Sequence, residues 1–181
     1  MIIASQKKKE NIAEYLLYMW QIEDIIRAYG LDIDQIQKHI INSYDLPEEQ
    51  KKSMREWYES LIDMMHSEGV EKKGHLQLNK NVLIDLTDLH LRLLKSTREP
   101  FYGAAFFKTL PYIVELRAKS GEGKTGELET CFNALYGVLL LRLQKKEIKT
   151  DTLKAIQQIS TFLSILAEKY KQEKAGELEL E

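Results

Sequence analysis

Apolar residues recur at three- and four-residue steps along almost the whole chain, and this period limits what the chain can fold into more than any motif does. Ile12, Tyr15, Leu16, Met19, Ile22, Ile26 and Tyr29 form the first stripe. Gly30 ends it, where a left-handed cap residue is wanted. Asp32 is placed to cap a short second helix carrying Ile33, Ile36, Ile40 and Ile41. Pro47 is expected in the first turn of a third helix, where its missing N–H costs nothing, with Glu48 and Glu49 at the positive end of the dipole. Met54, Trp57, Tyr58, Leu61, Met64 and Met65 form that helix's apolar face, and Gly69 closes it.

Residues 70–77 read as a polar connector. A fourth helix is expected over about 79–97. Part of it alternates like a strand (Ile84, Leu86, then Leu89, Leu91, Leu93), but its length favours a helix. Residues 101–119 are aromatic-rich and broken by Pro111, which predicts a kink or two short helices. A loop over 120–126 leads to an apolar helix over 128–146. Thr150 or Asp151 then caps a last helix, and the charged tail from Lys171 is expected to fray. With only 3 Pro and 9 Gly in 181 residues, a turn-rich β fold is disfavoured. The expected architecture is all-α: an up-down helical bundle of about seven helices, a single domain over 1–175 with a charged tail at 176–181.

Charge and cysteine content narrow the function classes. Lys+Arg is 26 against Asp+Glu 28, a net charge of −2, so a strongly basic nucleic-acid binder is disfavoured. One cysteine, Cys131, supports neither a disulfide framework nor a thiolate metal cluster, and on its helix's apolar face it reads as a small hydrophobe. The basic run Lys7–Lys9 precedes Asn11, Glu14 and Glu23 rather than an unbroken apolar stretch. No signal peptide or membrane span is therefore expected, and the cytoplasm is the default compartment.

The sharpest literal motif is Ala118-Lys119-Ser120-Gly121-Glu122-Gly123-Lys124-Thr125. It approximates a phosphate loop, with Gly123 in the turn, Lys124 for phosphate charge and Thr125 for magnesium, and strand-like residues 112–116 before it. The surrounding helical period, and Glu122 beside the phosphates, disfavour nucleotide binding. For a di-iron centre, Asp63-Met64-Met65-His66 with Glu59 one turn earlier supplies only one of the paired units such a site needs. Neither a metal nor a cofactor is expected, and no Ser/His/Asp set follows from spacing.

Two polar residues fall on apolar helix faces. Glu23 lies between Met19, Ile22 and Ile26, where an unpaired carboxylate would be costly. Arg27 at i+4 is the local partner and Arg142 the distant one, with a structural ion pair favoured over a functional site. His90 sits near Leu86, Leu93 and Leu94 and reads as a hydrogen-bonded core residue. Tyr18 and Trp20 point away from the first helix's stripe, so they meet a second layer or form an exposed aromatic surface for a partner. Phe101, Tyr102, Phe106 and Phe107 crowd a second segment.

The block Asn11-Ile12-Ala13-Glu14-Tyr15-Leu16-Leu17-Tyr18-Met19-Trp20-Gln21-Ile22-Glu23-Asp24-Ile25-Ile26-Arg27-Ala28 is long and unusual. Together with Glu129-Thr130-Cys131-Phe132-Asn133-Ala134-Leu135-Tyr136-Gly137, it resembles an uncharacterised domain-of-unknown-function family of Bacteroidetes proteins. The resemblance implies a small, soluble, all-helical bacterial protein and carries no activity to any residue. The functional expectation is a non-enzymatic cytoplasmic protein acting through protein contacts or self-association. The alternative is a small-molecule- or metal-binding helical enzyme with a pocket around Glu23, Arg27, His90 and Arg142.

Overall fold

The computed structural model describes residues 2–121 and 125–180. Eight α-helices account for most of them: α1 (Ile2–Glu10), α2 (Ile12–Ala28), α3 (Ile33–His39), α4 (Glu48–Glu68), α5 (Gln77–Lys95), α6 (Pro100–Ser120), α7 (Glu127–Leu143) and α8 (Thr150–Lys174). A single 3-10 turn occupies Ile41–Ser43. No strand occurs among the described residues, and the fold is all-α. Among them, no helix is long and apolar enough to cross a membrane.

Local chemistry sets the boundaries. Asp32 caps α3, its Oδ1 accepting from the N–H groups of Asp34 at 2.8 Å and Gln35 at 3.2 Å. Gly69 stops α4 in the left-handed region at φ 67°, a conformation that costs glycine nothing. The structure adds α1, where the sequence pattern shows only a basic helix start. Lys7, Lys8 and Lys9 lie in its last turn, at the negative end of its dipole. Asn11 breaks α1 from α2, its Oδ1 accepting from the Ala13 N–H at 3.0 Å.

Pro111 does not divide the fifth predicted segment, because α6 runs unbroken from Pro100 to Ser120. The proline sits on the exposed side of α6, as does Phe107 four residues earlier. The Phe107 carbonyl that loses its N–H partner therefore lies between two exposed residues. The charged tail makes contacts of its own. The last helix continues to Lys174, Arg98 pairs with Glu179 at 2.7 Å, and the Ser96 hydroxyl donates to the Leu180 carbonyl at 2.8 Å.

The chain divides into two compact units: Met1–Lys9 with Glu14–Val82, and Glu10–Ala13 with Leu83–Glu181. In the first, α3 and the 3-10 turn pack on α4, and Leu16, Ile26, Ile36, Ile41, Tyr58 and Met65 are buried. In the second, α6, α7 and α8 pack on one another, with Tyr102, Ile113, Phe132, Ile159 and Phe162 buried. Polar ties hold the second unit's helices. Gln158 donates to the Thr109 hydroxyl at 3.1 Å, and Lys169 pairs with Glu99 at 2.7 Å.

Candidate functional site

Three places in the fold gather chemistry, and each is built inside one unit. The first surrounds Glu23. Helical spacing turns this residue inward on α2, and it is fully buried at 0 % exposure. Its partners come from the 75–79 segment, which ends the connector and opens α5. Glu23 Oε1 accepts from the Leu76 N–H at 2.8 Å and the Asn79 side-chain amide at 2.6 Å. His75 Nδ1 lies 2.6 Å from Oε2. Trp20 stacks on the His75 ring with centroids 4.2 Å apart, which fixes the imidazole plane.

Arg27 does not meet Glu23 as the helical wheel suggests. Arg27 pairs instead with Asp24 at 2.9 Å, and its guanidinium donates to the backbone carbonyls of Val70, at 3.0 Å, and Gly74. A planar fork of donors suits this task, holding a connector whose carbonyls lack helical partners. Arg142, in the other unit, is exposed near the end of α7. The physical reason for the difference is that the Leu76 N–H, the Asn79 amide and the His75 ring already satisfy the buried Glu23 side chain from one short segment.

The second place is His90, on α5. It is buried among aromatic rings: Phe106 at 4.7 Å between centroids, Tyr102 at 5.7 Å and Phe162 at 5.9 Å. Its Nδ1 lies 2.6 Å from the Tyr102 hydroxyl, while Nε2 has no hydrogen-bond partner among the described residues. The Phe106 and Phe162 rings meet the imidazole in T-shaped geometry. Burial holds His90 below its ordinary 6.5, against a smaller upward pull from Glu127. Burial also raises the Tyr102 phenol and pushes the Cys131 thiol up to about 12, so Cys131 is an inert core thiol.

The third place is the outer face of α6. Tyr102, Phe106, Thr109 and Ile113 face the core. The opposite side carries Pro100, Ala104, Phe107, Pro111, Val114 and Ala118 at steps of four, three, four, three and four. Every one of these positions is apolar and every one is exposed, Phe107 at 64 % and Val114 at 57 %. Phe101, beside the stripe, is 89 % exposed. A helix on the surface of a globular unit normally turns a polar face outward, and a helix apolar all round is normally covered.

The aromatic surface expected at Tyr18 and Trp20 is therefore not where exposed aromatics occur. Trp20 is buried at 3 % exposure, and Tyr18 is half-buried, its phenol pushed up to about 12 chiefly by burial. Lys7 lies over the Tyr18 ring, 5.8 Å from its centroid. Sequence reasoning missed His75, Asn79 and the α6 stripe. The signal for the stripe was present: residues 102, 106, 109 and 113 already fill an inward face, which leaves a second apolar seam that is exposed among the described residues.

The phosphate-loop reading meets a helix–loop–helix setting. Residues 112–116, strand-like in sequence, are helical in α6, and Gly121 ends that helix at φ 72°. Gly123 and Lys124 lie outside the described residues, and Thr125 is half-buried before α7. Among the described residues, no group of three or more His, Cys, Asp or Glu is arranged to hold a metal ion. His66, from the lone carboxylate–histidine unit, lies 3.4 Å from Glu71. The first unit also holds a groove of about 430 Å³ lined by Ile2, Ile3, Tyr44, Leu46 and Met54 among others, with none of the sequence candidates in its wall.

No curated protein and no solved structure matches this chain. A family of domains of unknown function, DUF4924, matches residues 1–177. That match spans both units and nearly all of the sequence, so the chain belongs to the DUF4924 family.

Proposed function

We propose that this chain is a non-enzymatic cytoplasmic protein that works through protein contacts made by the outer face of α6. One observation carries the reading: six successive seam positions, Pro100 to Ala118, are all apolar and all exposed. Apolar residues spaced alternately by three and four are what one helix presents to another. Full burial of a phenylalanine removes about 150–250 Å² from water. At roughly 25 cal/mol per Å², covering Phe101 and Phe107 is therefore worth several kcal/mol before the costs of association. The other two places serve the interior. Glu23 secures the 75–79 segment, and His90 fills an aromatic core.

The test is a double substitution, Phe107→Asp with Val114→Asp. Both positions are exposed, so the variant is expected to keep its helicity and to shift stability by no more than about 0.5 kcal/mol per site. In gel filtration of undiluted cell lysate, the unchanged protein is expected to elute well above its 21.1 kDa and the variant at the monomer position. Elution of both at the monomer position, or of both in the larger species, would contradict the reading.

A further inference from the structure

We propose that the partner of this face is a second copy of the same chain, with the two α6 helices packed antiparallel; the inference rests on the contact function proposed above. The charges beside the stripe select this partner. Phe101, Lys108 and Glu115 follow one another at seven-residue steps along one flank, the position next to a helix–helix seam where ion pairs set partner and direction. Lys108 and Glu115 are both exposed, so each is available to a second molecule.

Centre a twofold axis between positions 112 and 113. Phe107 then packs on Ala118 of the second copy, and Pro111 packs on Val114 of the second copy. Phe107 meets the small Ala118, and Pro111 and Val114 are both compact, which lets the helices approach. On the flank, Lys108 faces Glu115 of the second copy, and symmetry repeats the pair at the other end. The other registers lose this match. Centring the antiparallel pair on residue 109 brings the two Lys108 ammonium groups together. A parallel pair lays Lys108 and Glu115 beside the flank carrying Gly103, Leu110 and Arg117, where Leu110 offers no charge. Glu115 already holds Lys119 of its own helix at 2.6 Å, and a carboxylate has acceptor sites for both lysines.

The face is small. One helix seam falls short of the roughly 800 Å² per partner of a standard stable interface, so the dimer exchanges with monomer rather than being permanent. The purified full-length chain is therefore expected to show a sedimentation-average mass that climbs from one subunit toward two as concentration rises. Lys108→Glu sets like charges against each other at both ends and is expected to weaken dimerisation at least tenfold. Lys108→Glu with Glu115→Lys reverses both partners and is expected to restore the dissociation constant to within about threefold. Circular dichroism confirms that each variant remains helical.

A chain that stays monomeric at every concentration overturns the second-copy proposal, while the lysate experiment continues to judge the contact face itself. Dimerisation that is abolished by Phe107→Asp but indifferent to Lys108→Glu, or not recovered by the double reversal, overturns the antiparallel register and leaves the contact face standing.

Discussion

Glu23→Ala is expected to lower stability by about 2–6 kcal/mol, from two buried donors stranded at about 1–3 kcal/mol each. The side chain is wholly buried, and three groups lose their acceptor with it. The Leu76 N–H and the Asn79 amide are themselves buried, so water does not replace the carboxylate without entering the core. Each stranded donor costs about 1–3 kcal/mol. His75 is half-exposed and turns to water more cheaply. The Asn79 Oδ1 atom already lacks a partner among the described residues, so this amide has no second contact to fall back on.

Glu23→Gln separates the acceptor from the charge. Its carbonyl oxygen still serves Leu76 and Asn79, and the expected loss is about 1 kcal/mol. Urea unfolding of the two variants beside the unchanged chain checks both values. A Glu23→Ala protein within about 1 kcal/mol of the original would mean that the 75–79 segment is held by something other than this carboxylate.

The second large effect depends on pH. His90 is held below its ordinary 6.5 by burial, so the folded chain keeps it neutral where the unfolded chain protonates it. Between the folded and unfolded values the unfolded state binds the extra proton, and stability rises with pH. The stability tied to neutral His90 is thus fully present above about pH 6.5 and is lost as pH falls below it. One proton corresponds to about 1.4 kcal/mol per pH unit in that window. Urea midpoints at pH 7.5 and 5.5 should therefore differ more in the unchanged chain than in His90→Gln. Glutamine keeps an acceptor for the Tyr102 hydroxyl and does not titrate. The two proteins differ at position 90 alone, so the comparison isolates that residue. Equal acid sensitivity in the two proteins would contradict a neutral, buried His90.

The helices were legible because their signals are local. The Asp32 cap, the Gly69 stop and the three-to-four period each act within one turn, and each recurs in the structure. The inward position of Glu23 was also local information, but its partners were not. They lie more than 50 residues away, in a stretch whose composition resembles a plain connector. Arg27 was misassigned for a related reason. A wheel records that i+4 residues are neighbours, but not that Asp24 and two loop carbonyls compete for the same guanidinium.

Tyr18 and Trp20 show the converse limit. A residue off its helix's main stripe is equally consistent with a surface and with a second layer, and the Trp20 stack on His75 settles it as interior. α6 was harder still. Its aromatics read as one crowded cluster until the fold divides them, with Tyr102 and Phe106 inward and Phe101 and Phe107 outward. Pro111 survives inside that helix because it sits on the same outward side.

The most direct measurement of the contact role is photo-crosslinking from the α6 seam. A photoreactive phenylalanine analogue replaces Phe107 in cells, and a matched protein carries it at Ser164, an exposed polar position on α8. A discrete, saturable covalent adduct from position 107, with none from position 164, is the result the account predicts. No adduct from 107, or the same diffuse adducts from both positions, would contradict it.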